Sequence, residues 1–391
     1  MKYYPRQIET PLQEAARRFR VVVLTGARQT GKSTTLERLF RKTHRTVSLD
    51  NPRDLKLAQE DPRLFFEENP PPVILDEIQY APGLLTHVKL FVDRNPQKGL
   101  FIITGSQQFA MMKNLRETLA GRAVLFHLLP LSLGEGKKSS RNYAYRSLNG
   151  SYPELVASPR PDAERWFGSY LATYLERDVQ PHYQLEKITH FRDFIFLLAT
   201  RTSQILNYQS LSNDLGVSIS AIKLWVKILE ASGILYLLRP YYINLGSRLV
   251  KSPKVYFTDT GFANYLMGNT EKRSLFKGPQ AGPLFENFVI QECLKHFLNQ
   301  GRPAPLYYYR TNNGLEVDLL IEEKRGRVRP CEIKLTRTPH AGMVGPLERL
   351  QKLNRNKISL LPGALISLSA ESFALTRQVR AFSVDDFLKE I

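Results

Sequence analysis

Residues Gly26-Ala27-Arg28-Gln29-Thr30-Gly31-Lys32-Ser33 follow the apolar run Val21-Val22-Val23-Leu24 and precede Thr34-Thr35-Leu36-Glu37-Arg38-Leu39-Phe40. A buried strand, a loop closed by glycines and a helix opening at the lysine form the arrangement in which successive backbone N–H groups encircle polyanionic oxygens. Gly26 and Gly31 permit the turn and the close approach, and the helix N-terminus adds its partial positive charge. Lys32 reaches β and γ phosphates, and Ser33 can hold magnesium. The pattern is a complete P-loop in its strand-loop-helix setting. It predicts a nucleotide site made of Gly26, Ala27, Arg28, Gln29, Thr30, Gly31, Lys32, Ser33 and Thr34.

The partner segments follow at ordinary intervals. Val73-Ile74-Leu75-Asp76-Glu77 is an apolar strand ending in two carboxylates, the Walker B pattern. Asp76 would complete a magnesium sphere with Ser33, and Glu77 would act as general base on the attacking water. Gly99-Leu100-Phe101-Ile102-Ile103-Thr104-Gly105-Ser106-Gln107 is a further buried strand ending in small polar residues. In P-loop ATPases of the additional-strand kind, which this pattern resembles, a polar side chain there sits between the two Walker strands and orients the water; Thr104 and Ser106 both qualify. After Leu119-Ala120-Gly121, Arg122 is a candidate arginine finger, in its own subunit or a neighbour's.

Together with Leu75-Asp76-Glu77-Ile78-Gln79, Ile103-Thr104-Gly105-Ser106 and Leu119-Ala120-Gly121-Arg122 through Leu129-Pro130-Leu131-Ser132, the P-loop resembles that of prokaryotic AAA-type ATPases with an uncharacterised C-terminal region. The resemblance implies an αβα ATPase core over residues 1–135, ATP with magnesium as ligands, and ring or dimer assembly. The chain departs from the family pattern at Gln107, where the resemblance implies serine.

The chain has 391 residues, 42% of them hydrophobic, enough for two or three domains with separate cores. The formal charge of +18 is spread over every part, most strongly over the middle, and favours a polyanionic partner, DNA first. Cys293 and Cys331 lack the spacing of a disulfide framework or a cysteine zinc site, which fits a reducing cytoplasm. No apolar run approaches the length of a membrane-spanning helix, and the N-terminus lacks a signal-peptide core. Met1 to Arg20 reads as a helix packing on the first strand.

Gly134-Glu135-Gly136-Lys137-Lys138-Ser139-Ser140 reads as a solvated linker, so a second region begins near 136. Gly150-Ser151-Tyr152-Pro153-Glu154 is a turn, and Trp166 to Asp178 has helical spacing. Both segments resemble the same ATPase family and imply a helical lid over 136–205. Over 206–280, a short helix around Ser210–Leu215 stops at Gly216 and a second runs from Ile219 to Ser232, the helix-turn-helix pattern. Gly233 to Leu238 and Lys254 to Phe257 would be strands of a wing, with Arg239, Arg248, Lys251 and Lys254 on or beside it. Lys223 and Lys227 on the second helix suit phosphates, whereas few side chains suit base edges, so binding mainly to the DNA backbone is expected.

In residues 281–391, Gly282-Pro283 reads as an entry turn and Leu284 to Leu294 as an amphipathic helix carrying Glu286. Leu306 to Arg310 and Leu315 to Ile321 are strands joined by an Asn312-Asn313-Gly314 hairpin turn, and Pro330-Cys331-Glu332-Ile333-Lys334 is a third. Alternation puts Glu332 and Lys334 on one side. A helix glutamate, the strand residue Asp318 and Glu332-Ile333-Lys334 resemble the PD-(D/E)xK nuclease fold. In that reading Asp318, Glu332 and Glu286 collect magnesium or manganese, and Lys334 activates water or steadies the scissile phosphate. The fold class expected is α/β: a P-loop AAA-type αβα sandwich, a helical lid with a winged helix-turn-helix, and a PD-(D/E)xK-like domain.

Overall fold

A computed structural model describes residues 3–106, 118–179, 188–241, 252–269, 271–354 and 358–391. The apolar runs read from the sequence become β1 (Val21–Gly26), β3 (Val73–Asp76) and β4 (Phe101–Ser106), joined by β2 (Arg45–Ser48) and β5 (Ala123–His127). All five pair in parallel in the order β2-β3-β4-β1-β5, so β4 lies between the P-loop strand and the Walker B strand. Both faces of a parallel sheet must be covered. Val21, Val23, Leu75 and Ile103 enter one core with α5 (Leu84–Arg94), while Val22, Leu24, Ile74 and Ile102 enter another with α1 (Glu9–Arg18) and α2 (Lys32–Phe40). Among the described residues of this part there are also α3 (Pro52–Glu60) and α4 (Pro62–Glu68), each opened by a proline behind an Asn51 or Asp61 cap.

The N-terminus differs from the expected helix. α1 begins only at Glu9, and residues 3–8 run outside any helix, with Arg6 buried. The segment 134–140 also differs from a solvated linker. Glu135 and Ser140 are buried there because ion pairing and backbone N–H groups satisfy the Glu135 carboxylate.

Beyond it come α6 (Tyr143–Asn149), α7 (Pro153–Ala157), α8 (Ala163–Tyr174) and α9 (Ile188–Thr200). Next, α10 (Tyr208–Leu215) ends at Gly216 in the left-handed region (φ 63°), and α11 (Ile219–Ala231) starts behind a Ser218 cap. Ile222, Trp225, Val226 and Leu229 face the core, leaving Ser220, Lys223, Leu224 and Lys227 on the outer face. β6 (Leu235–Pro240) and β7 (Lys254–Phe257) form an antiparallel pair. Arg239 is exposed on it, Arg248 and Lys251 lie outside the described residues, and Lys254, expected on a basic wing surface, is buried.

The boundary expected at 280/281 is bridged by backbone. β6 continues in parallel onto β8 (Leu306–Arg310), with Arg239 beside Tyr307 and Pro240 beside Tyr308. The nine-stranded sheet runs β13-β14-β12-β10-β9-β8-β6-β7, using β9 (Glu316–Lys324), β10 (Arg327–Ile333), β12 (Gly363–Ser367), β13 (Phe373–Ala374) and β14 (Val379–Ser383), with β11 (Ser359–Leu360) paired to β10. Close approach also ties the middle together. At α12 (Thr260–Leu266), a Cβ on Gly261 would stand 2.3 Å from the Gly150 nitrogen, so only glycine lets this helix meet that turn.

The long helix α13 (Ala281–Asn299) takes in Gly282 and Pro283, read from the sequence as an entry turn. Proline is tolerated in a first turn, where its missing N–H has no partner to lose. The helix is buried on nearly every side rather than amphipathic, and one core running from Leu129 to Phe387 surrounds it. Its buried polar residues are paired: Asn287 bonds Thr202, Phe257 and Thr260, and Glu292 bonds Lys295. Two further helices, α14 (Gly345–Asn354) and α15 (Val384–Glu390), pack on the sheet. Among the described residues, no helix is long and apolar enough to cross a membrane.

Candidate functional site

The P-loop has the geometry its sequence demands. Gly26 sits at φ 156°, and a Cβ there would lie 2.2 Å from the Leu128 carbonyl oxygen, so any other residue would push the loop off the neighbouring chain. Gln29 (φ 60°) and Gly31 (φ 90°) supply left-handed turns, and α2 starts at Lys32 as expected. Thr30 closes the loop internally through its hydroxyl to the Ala27 carbonyl at 2.9 Å. Lys32 is buried, with its ammonium donating to the Gly26 and Ala27 carbonyls at 3.1 and 3.0 Å. Thr34 turns its side chain outward, leaving its backbone as the part near the loop. Arg28 contacts the Tyr80 hydroxyl at 3.4 Å.

Asp76 ends β3 and is buried against this loop. Burial raises its pKa, opposed by the Ser33 hydroxyl, which donates to it, and by the nearby Lys32 charge. Ser33 and Asp76, the two residues expected to hold magnesium, therefore meet. Beside it on the same face, β4 places Thr104, fully buried, with a hydroxyl that has no hydrogen-bond partner among the described residues. The side chain of Ser106, its rival from the sequence, lies outside the described residues, as does Gln107. Hydroxyl, carboxylate and ammonium with one orphaned oxygen suit a hydrated divalent ion beside a phosphate chain. Glu77 follows at φ 57°, a left-handed conformation that costs a non-glycine residue about 1–3 kcal/mol. Its N–H donates to Asp76, and the Gln79 amide holds its carboxylate.

Arg122 lies away from the P-loop of its own subunit. The register sets Val21 beside Ala123, so Arg122 lies at the end of the sheet opposite the P-loop, roughly 20 Å from Gly26 at strand rise. There it makes a two-pronged ion pair with Asp93 of α5, 3.0 Å at one prong. It serves no finger role in its own subunit.

The C-terminal set converges in part. Asp318 in β9 accepts from the Ile333 N–H at 2.9 Å, and Lys334 lies 3.4 Å from Asp318 and 2.7 Å from Glu332. The Glu332 side chain is nearly inaccessible, and its Oε1 has no partner among the described residues. Burial and the Asp318 charge push its pKa up despite Lys334. Glu286 goes elsewhere: it accepts from Lys254 at 3.0 Å and Tyr256 at 2.6 Å, and burial pushes its pKa up to about 7. Lys254 also pairs with Glu316 at 2.6 Å, and these carboxylates overcome burial to raise its pKa. Among the described residues, no three His, Cys, Asp or Glu side chains are gathered closely enough to hold a metal ion. Glu286 therefore does not join Asp318 and Glu332 as a third ligand in this arrangement.

Sequence reasoning missed Arg6, Glu135 and Lys254. Arg6 donates to the Thr30 carbonyl at 2.8 Å and to the Leu129 carbonyl at 2.7 Å, and pairs with Glu135 at 3.1 Å.

Residues 18–136 match an AAA domain, while 140–273 and 281–387 each match a domain of unknown function. Uncharacterized proteins of Mycobacterium tuberculosis and Mycobacterium bovis are each 32% identical over 338 residues, covering 85% of this chain and 74% of theirs. The chain belongs to the family of these mycobacterial proteins. Its family-matched first third is an AAA-type P-loop ATPase domain with the nucleotide-binding loop intact. A Walker-type ATPase from Pyrococcus abyssi superimposes with a TM-score of 0.41 at 15% identity, over 66% of this chain and 94% of that one, a likeness too loose to carry an argument.

Proposed function

We propose that the chain is a magnesium-dependent ATPase whose nucleotide cycle acts on DNA through a winged helix-turn-helix and a nuclease-like module. The observation carrying this reading is the meeting of Lys32, Ser33, Asp76 and the orphaned Thr104 hydroxyl at the head of one parallel sheet. Lys32 and the loop amides would grip the β and γ phosphates, Ser33 and Asp76 would hold magnesium, and Glu77 would take the proton of the attacking water. Magnesium supplies charge neutralisation when bound; Thr104 positions the water. Any arginine finger comes from a second copy of the chain, which makes an oligomer part of the proposal.

The pair α10–α11 with the β6–β7 hairpin supports the winged-helix reading. Lys223 and Lys227 on the outer face of α11 would meet backbone phosphates. In a mobility assay, affinity for duplex DNA is expected to fall steeply with salt, the log–log slope approaching about −0.9 per phosphate contact. Lack of binding at low salt would leave the modules as protein-contact devices.

The nuclease-like reading rests on β8-β9-β10 with α13, and on Asp318, Glu332 and Lys334. The unpaired Glu332 oxygen suits a magnesium or manganese ion, which needs only one or two carboxylates besides water and phosphate. Plasmid nicking by wild type and by Lys334→Ala decides it; equal nicking by both removes the claim. A second reading, a nucleotide-dependent switch with protein partners, is favoured by one feature: Lys254 and Lys334 already fill the carboxylate cluster with positive charge. A cytoplasmic site of action accords with two buried free cysteines.

A further inference from the structure

The segment before α1 touches both the P-loop and α2. Tyr3 is bonded to Glu9 at 2.7 Å with Arg38 of α2 stacked 4.4 Å over its ring, and Arg6 grips the Thr30 carbonyl. A trans peptide is planar, with its N–H opposite its C=O. Holding the Thr30 oxygen on the Arg6 side therefore turns the Gly31 N–H to the other side.

The same arginine is the first link of a buried chain. Arg6 pairs with Glu135, both side chains almost wholly inaccessible. Burial would raise the Glu135 pKa, yet the Arg6 charge and the N–H groups of Ser132 and Gln7 hold it below the usual carboxylate range. The loop so fixed is gripped from below by α13: the Leu133 N–H donates to Glu292 at 2.7 Å, and Lys295 donates to the Leu131 carbonyl at 3.2 Å. Glu292 and Lys295 form a fully buried ion pair at 2.9 Å. Gln7 adds a direct tie, accepting from the Asn299 amide at 3.2 Å. Buried charges persist where each has its partner, and the removal of one strands the next. The other end of α13 carries Glu286 and Asn287, which hold β7.

We propose that Arg6 is a positioning residue of the nucleotide site, and that Arg6 and Glu135 relay phosphate occupancy of the P-loop to α13. Arg6 aims the Gly31 amide at the phosphate, and the strain of occupancy passes through Glu135 and the 131–135 loop to Glu292 and Lys295. The proposal rests on the nucleotide-binding reading of the P-loop.

The test uses the full chain. Calorimetry with magnesium and ATP is expected to show about tenfold weaker binding for Arg6→Ala, with most of it restored in Arg6→Lys, which keeps a donor and charge. Hydrogen exchange with a slowly hydrolysed ATP analogue at saturation reads the relay. In wild type, peptides covering 281–299 should change protection on binding; in Glu135→Gln, with its site equally filled, they should not. Nucleotide-independent exchange in a wild type that binds ATP would overturn the relay. An unaltered response in Glu135→Gln would do the same. Should Arg6→Ala fail to fold, Arg6→Lys and Glu135→Gln carry both readouts. If wild type binds no ATP, the nucleotide reading itself falls and the relay with it.

Discussion

Lys32→Ala should lose at least about a hundredfold in ATP affinity, near 3 kcal/mol, while keeping its fold. The ammonium is buried at the base of the loop and in this arrangement is satisfied by the Gly26 and Ala27 carbonyls. Those two oxygens hold it where a phosphate oxygen would replace them. A charge-assisted bond made in a largely dry site is worth roughly twice a neutral one, and the loop has no second ammonium at that position. Removing it also strips two carbonyls of a donor, a cost of about 0.5–1.5 kcal/mol to the fold for each bond. Calorimetry with magnesium and ATP measures the first effect, and thermal unfolding without nucleotide the second. ATP affinity within about threefold of wild type would mean that amides alone carry the phosphate, contrary to the role given to Lys32.

How much of this the sequence could disclose follows from the reach of each interaction. β1, β3 and β4 were legible because a buried parallel strand is a continuous apolar run, and the P-loop because its contacts fall within eight residues. Arg6 was not. Its partners are 24 and 123 residues away, and nothing local separates it from neighbouring basic residues that lie in solvent. Glu135 failed for a related reason: glycines and lysines around it have the composition of an exposed joint, and only a distant guanidinium makes burial tolerable. Lys254 was half legible. Alternation puts it on one side with Tyr256, but β7 is buried on both sides, and that depends on pairings such as β6 with β8, between segments some 70 residues apart. The motif around Arg122 carries no register of its own. The short stretch Leu119 to Arg122 gives no sign of which end of the sheet it occupies, and the pairing of Ala123 with Val21 settles it.

Glu77→Gln should bind ATP as wild type does and hydrolyse it at least about a hundredfold more slowly, within the usual range for removal of a general base. On the proposed reading, the position serves a carboxylate rather than packing. It follows directly on Asp76, it is only partly buried, and its backbone adopts a left-handed conformation that the chain would avoid without a reason. In that conformation its N–H donates to the Asp76 carboxylate, which ties the proposed base to the proposed magnesium ligand. The amide is nearly isosteric and retains the backbone bond, which removes proton acceptance and little else. In the present arrangement Gln79 holds the carboxylate, so a productive site requires that contact to open, and Gln79→Ala should leave ATP binding intact. Single-turnover hydrolysis separates the possibilities. Normal cleavage by Glu77→Gln would place the base elsewhere, whereas a binding-competent, cleavage-deficient protein would show that the strained turn after β3 exists for the chemistry it presents.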